Sequence, residues 1–179
     1  MAFIAVALTA SGEPGSALAP GSSTPSRSIG PSADQKLRQG CEQGNPALVE
    51  AAIADKADVN CSNPVNGLPP LLEMLRSATA TLDPARRECV ACLLAHGAKP
   101  SVADSDQRTA VIYATRLGDL DTLRLLVEAE AFVRTRDRFH NTALFYAVEA
   151  DRRDIVLYLS QNGALISLSV AERRQMSQR

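Results

Sequence analysis

"HNTALFYAVEADRRDIVLYLSQNGA", His140–Ala164, decides how this chain folds. It holds two short helical patterns, parted at Asp151 and closed by the pair Gly163-Ala164. Helices this brief are marginal alone, since isolated ones below about 12–15 residues rarely persist in water. The preceding stretch, "QRTAVIYATRLGDLDTLRLLVEAEA" (Gln107–Ala131), has the same layout. Thr109 and Thr142, Tyr113 and Tyr146, Ala114 and Ala147, Leu126 and Leu159, and Ala131 and Ala164 all stand 33 positions apart. Leu93 and Ala98 precede Leu126 and Ala131 by the same 33, whereas Ala57 to Ala98 is 41, which places extra residues in an earlier unit. A fixed period of this length marks a stack of repeats. Four units result, at approximately 32–66, 67–106, 107–139 and 140–168.

Each complete unit follows one logic. A short first helix rich in small residues (Thr109 to Leu117, then Thr142 to Ala150) stops at Gly118 or Asp151. A second helix follows with Leu123, Leu126 and Val127 at the i, i+3, i+4 spacing of one buried face. Neighbouring units must supply the packing that neither helix has alone. Capping signals agree with these limits. Ser32-x-x-Gln35 reads as a capping box, and Asn45-Pro46 and Asp83-Pro84 each put a capping residue before a proline at the first helical position. Ser169-x-x-Glu172 signals a last short helix, "VAERRQM". The extra residues, "LRSATATLDPARRE", fall at the helix–helix turn of unit two and read as a loop that ends on the Asp83 cap. Either a partner touches that loop or it is a tolerated surface insertion, since doubling a loop's length costs only about 0.6 kcal/mol.

With these units in view, the chain resembles the ankyrin-repeat family, whose first helix carries T-P-L-H-x-A and whose second ends L-L-x-x-G-A. "PPLLEM" at 69–74, "TAVIYA" at 109–114 and "TALFYA" at 142–147 match the former; "CLLAHGA" at 92–98, "LLVEAEA" at 125–131 and "YLSQNGA" at 158–164 match the latter. The resemblance implies an all-α solenoid of about four helix-turn-helix repeats over residues 32–168, joined by short hairpin loops. Residues 1–31 would be a disordered leader and 169–179 a capping helix or tail. Leu72, Ile112 and Phe145 replace the family's histidine, which ties turns together by hydrogen bonds. The last unit puts Arg153 and Ser160 where unit three has Leu120 and Val127, the wetter outer face of a cap.

In ankyrin proteins the hairpin tips and first-helix surfaces bind partners. The corresponding positions here are Arg108, Arg116 and Leu117 in unit three, and Arg134, Arg136, Arg138, Phe139, Asn141 and Glu149 at unit four. Arginine suits bidentate contact with carboxylates and often anchors interfaces, so an acidic segment of a partner protein is the expected ligand. The opposing reading is a solvated edge neutralised by Asp104, Asp106 and Asp137. "LLAHGAKPSVAD" also resembles the second repeat of ankyrin proteins that inhibit cyclin-dependent kinases, although those shorten the first helix of that repeat and this chain lengthens the region. The resemblance thus implies a scaffold or adaptor, with an enzyme regulator as the alternative.

Composition narrows the classes further. Of 179 residues 45% are apolar but only 4% aromatic, so a core of Ala, Leu, Val and Ile is expected. The net charge of −1 points to neither nucleic acid nor membrane. No apolar run reaches the ~18 residues of a membrane helix. "MAFIAVALTA" has no Lys or Arg ahead of it and Pro20 spoils the following "ALA", so it does not read as a secretory signal. Residues 10–31, rich in Gly, Ser, Pro and Ala, cannot bury enough apolar area to offset ordering. Cys41, Cys61, Cys89 and Cys92 read as reduced thiols of a cytoplasmic or nuclear protein. Cys89-x-x-Cys92 lies in a second helix without further metal ligands at the right spacing, so packing is its expected role. His96 and His140 sit at turns with no nucleophile at a telling spacing, and no phosphate loop exists. The expectation is a monomer without enzymatic activity, metal or cofactor.

Overall fold

The computed structural model describes residues 31–78 and 81–164. The leader and the helix signalled at Ser169 fall outside them. The described chain forms eight helices: α1 Ala33–Gln43, α2 Pro46–Ala54, α3 Pro70–Ser77, α4 Pro84–Ala95, α5 Ala110–Leu117, α6 Leu120–Glu128, α7 Ala143–Glu149 and α8 Arg153–Gln161. First helices stack in one layer, α1 on α3 on α5 on α7, and second helices in another, α2 on α4 on α6, while α8 packs on α7. Among the described residues no strand forms; single antiparallel bridges, Ala103 with Thr109 and Arg136 with Thr142, close two hairpin loops.

The helices start where their side chains satisfy free backbone N–H groups. Ser32 and Gln35 form the reciprocal capping box, and Asn45 and Asp83 accept from Leu48 N and Arg86 N. They stop through one recurring turn. Ala57, Ala98, Ala131 and Ala164 each donate from N to the carbonyl five residues back, on Ala52, Leu93, Leu126 and Leu159. The residue before each alanine is left-handed: Lys56, Gly97, Glu130 and Gly163. This is the Schellman arrangement, and it explains the "GA" pairs. First helices end likewise at Gly44, Gly118 and Asp151.

Two of those left-handed second-helix ends lack glycine. A side chain there costs about 1–2 kcal/mol, partly offset by glycine's larger entropy loss on folding. Glu130→Gly is therefore expected to stabilise the fold by about 0.5–1 kcal/mol, read as a higher urea midpoint at unchanged slope. Gly97→Ala should shift it the other way.

The period also writes the core. Ala52, Leu93, Leu126 and Leu159 occupy one register position and are all fully buried. Ala110, Ala114, Ala143 and Ala147 are sealed between first helices, so small residues set the stacking distance. The insertion leaves α3 at the same eight residues as α5: the helix stops at Ser77, Ala78 is extended, and α4 begins only after the Asp83 cap. Its end is not loose. Leu82 is buried, and its N–H donates to Asp119 Oδ2 at 3.0 Å. Asp119 also caps α6, accepting from Thr122 N at 3.0 Å and Thr122 Oγ1 at 2.9 Å. Arg87 reaches over both, with Nη2 donating to Leu82 O and lying 3.5 Å from Asp119 Oδ1.

Candidate functional site

The hairpins before α3, α5 and α7 are each built around one inward-turned polar side chain. In the hairpin leading into the third unit Asp104 Oδ1 accepts from Asp106 N and Arg108 N, both at 2.8 Å, and Oδ2 accepts from Tyr113 Oη at 2.5 Å. In the hairpin leading into the fourth, Asp137 Oδ1 accepts from Phe139 N and Asn141 N, both at 2.9 Å, and Oδ2 from Tyr146 Oη at 2.5 Å. In the hairpin leading into the second, Asn63 holds Val65 N at 2.8 Å and donates to Glu73 Oε1 at 2.6 Å. The turn-tying that the family assigns to histidine is thus made one position further along the first helix. Burial, and next the facing carboxylates, push both tyrosine hydroxyls up.

This wiring determines what faces outward. Asp106 alone among the three loop aspartates pairs with arginines: Arg138 Nη1 at 2.8 Å and Arg108 Nη1 at 3.1 Å. The hydrogen bond from Arg138 and the charge of Arg108 lower its pKa. Arg138 also stacks over Phe139, its guanidinium 5.0 Å from the ring centre, and Phe139 remains 51% exposed. Arg136 is exposed and has no ion pair among the described residues. Arg116, exposed near the end of α5, lies 5.6 Å over the Tyr146 ring, while Leu117 packs against the core and Glu149 is exposed near the end of α7. Asn141 is half-buried.

Arg108, Arg116, Arg138 and Phe139 are therefore brought to one edge through Asp106 and Tyr146. Arg134 is not part of that cluster. Its Nε donates to Gly163 O at 2.6 Å, clasping the end of α8. Asn60 makes the corresponding bond to Gly97 O earlier in the stack. Two residues on the same edge escaped sequence reasoning. Arg76 holds the register position of Arg116 and Glu149, hidden because the insertion stretches the period to 40 there. Val65, 92% exposed, crowns the first hairpin.

The described residues hold no group of three or more His, Cys, Asp or Glu side chains able to bind a metal ion. Cys89 is buried within α4 and Cys92 half-buried beside it. Burial pushes the thiols up, Cys41 to about 12 and Cys89 to about 11. A group whose pKa rises on folding favours its neutral form in the fold. Its contribution is whole below the unfolded value near 9.0 and fades as pH climbs through the folded value. Urea midpoints should therefore fall between about pH 9 and pH 12, and at neutral pH a thiol reagent should label Cys92 well before Cys41, Cys61 and Cys89. Fast labelling of Cys89 would revive a redox pair.

A family model described as ankyrin repeats (3 copies) matches residues 37–137 and 78–169. The chain belongs to the ankyrin-repeat family. Among curated proteins this ankyrin-repeat chain is 31% identical over 132 residues to the mouse (Mus musculus) cyclin-dependent kinase 4 inhibitor B, covering 73% of this chain and 95% of that protein. It is 32% identical over 133 residues to human (Homo sapiens) cyclin-dependent kinase inhibitor 2A, covering 74% of this chain and 79% of that protein. Ankyrin repeats bind proteins, and this chain is a protein–protein interaction module. No helix among its described residues is long and apolar enough to cross a membrane.

Proposed function

We propose that the module binds an acidic segment of a partner protein along the edge formed by Arg76, Arg108, Arg116, Arg136, Arg138 and Phe139, with Leu117, Asn141 and Glu149 beside it. It works as a monomer in the cytoplasm or nucleus, without catalysis, metal or cofactor. The observation that carries this reading is the charge imbalance at the tips. Asp104 and Asp137 turn inward to backbone and tyrosine, which leaves Asp106 to face Arg108 and Arg138. A neutralised edge would need all three carboxylates outside. Arg134 supports the edge by holding α8 in place. The stacked helices fix the tips before a partner arrives, so little ordering entropy is lost on binding.

Reversing Arg136 and Arg138 together to Glu is expected to weaken binding of the captured partner at least about tenfold, since like charges facing across an interface cost several kcal/mol. Arg124→Glu on α6, away from the edge, serves as control. Unchanged recovery with the double variant would sink the proposed edge.

A second reading is that the partner is a protein kinase held inactive. The kinase inhibitors among the relatives favour it, since alignment with the mouse protein runs over 95% of that protein's length. Titrating the protein into a cyclin-dependent kinase 4 assay decides it. Loss of activity near stoichiometric addition supports the reading; full activity throughout excludes that kinase and leaves the binding module intact.

A further inference from the structure

The carboxylate of Asp106 is one that its own hairpin does not need. Val65 and Phe139 hold the same place in their hairpins, two residues after the side chain that ties the turn. Both are exposed, and both turns close without a carboxylate there. The turn uses only the backbone of Asp106: its N–H reaches Asp104 Oδ1 at 2.8 Å, and its carbonyl accepts from Arg138 N at 2.9 Å. The side chain instead bridges two arginines, one of its own hairpin and one of the next. Oδ2 lies 3.1 Å from Arg108 Nη1 and Oδ1 2.8 Å from Arg138 Nη1. Each guanidinium thus receives one oxygen, not the two-point contact that its fork allows. Neither arginine depends on Asp106 for its place. The Phe139 ring supports Arg138, and packing holds Arg108, whose side chain is only 20% exposed.

We propose that Arg108 and Arg138 form the carboxylate subsite of this edge, and that Asp106 fills it in the free protein and gives way to a Glu or Asp side chain of the partner. The inference rests on the acidic-segment reading above. The exchange trades like for like. It breaks two partly exposed ion pairs, which are worth little in water, and it offers the arginines the two-point contacts that Asp106 leaves unmade. Asp106 then turns out to solvent while its backbone keeps the turn. A built-in competitor of this kind also sets selectivity. An isolated carboxylate gains almost nothing over Asp106, whereas a run of acidic residues gains through Arg136 and Arg116 as well. The edge therefore favours segments that bring several carboxylates together.

Binding of a dye-labelled hexaglutamate peptide to the full chain, followed by fluorescence anisotropy at low salt, tests this. Asp106→Asn and Asp106→Ala should each bind the peptide about three- to tenfold more tightly than the unaltered protein, as the release of two partly exposed pairs predicts. Their urea midpoints should move little, since Val65 and Phe139 serve at the same place. Asp154→Asn removes an equal charge from the exposed start of α8 and should leave binding within about twofold. In an Arg138→Gln background Asp106→Asn should lose most of its gain. Unchanged or weaker binding by both Asp106 variants overturns the proposal, and so does an equal gain from Asp154→Asn. If the unaltered protein still binds the peptide in those cases, and Arg136→Glu/Arg138→Glu abolishes it, the acidic-segment reading stands without the displacement. Absence of binding by every version removes both.

Discussion

Leu126→Ala is expected to destabilise the stack by about 2–5 kcal/mol. Leu126 is fully buried, and Leu93 and Leu159 repeat it 33 residues to either side. Its carbonyl also accepts the Ala131 N–H that ends α6, so the side chain packs directly under the turn into the next hairpin. Removing three carbons leaves a cavity walled by other repeats. Those walls are held by their own turns and cannot collapse inward without parting Ala129–Ala131 from the helix. The loss should appear as a lower urea midpoint. Because repeats communicate mainly through neighbours, it should also broaden or split the transition. A neutral result would mean that the register of the repeats is misplaced at this position.

Asp119→Ala comes next, at about 2–4 kcal/mol. One carboxylate caps α6 and holds the end of the insertion. The change removes the cap, typically worth about 1 kcal/mol. It also strands the buried Leu82 N–H, which costs a further 1–3 kcal/mol or so. Asp119→Asn keeps the shape and one acceptor, and should cost less than half as much. If alanine proves as mild as asparagine, the bond to Leu82 contributes nothing and the insertion is held elsewhere. The measurement is urea unfolding of both variants, with exchange of the Leu82 amide as the local readout.

These two sites show what could and could not be read from the chain. Leu126 was legible because burial repeats: a position 33 residues from another fully buried leucine faces the same neighbours. The caps Ser32, Asn45 and Asp83 were legible because capping is local chemistry within four residues. The double role of Asp119 was not legible in this way. Its bond to Leu82 spans 37 residues and depends on how the insertion folds back, which no local pattern encodes. Arg134 went the same way. Among alternating arginines it looked like a tip residue, yet its guanidinium reaches a carbonyl 29 residues later. Tyr113 and Tyr146 were matched by register. Their carboxylate partners were not, because a turn must close before residues nine apart can meet.

The paired tyrosines have a practical consequence. The chain contains no tryptophan and three tyrosines, so its ultraviolet emission comes from tyrosine alone. Two of them hand their hydroxyl proton toward a carboxylate, an arrangement that darkens phenol emission until the turn opens. Single-tyrosine versions retaining Tyr113 or Tyr146 would brighten as their own hairpin melts. Comparing the two signals would reveal whether these adjacent repeats dissolve together or one after the other, without any attached dye.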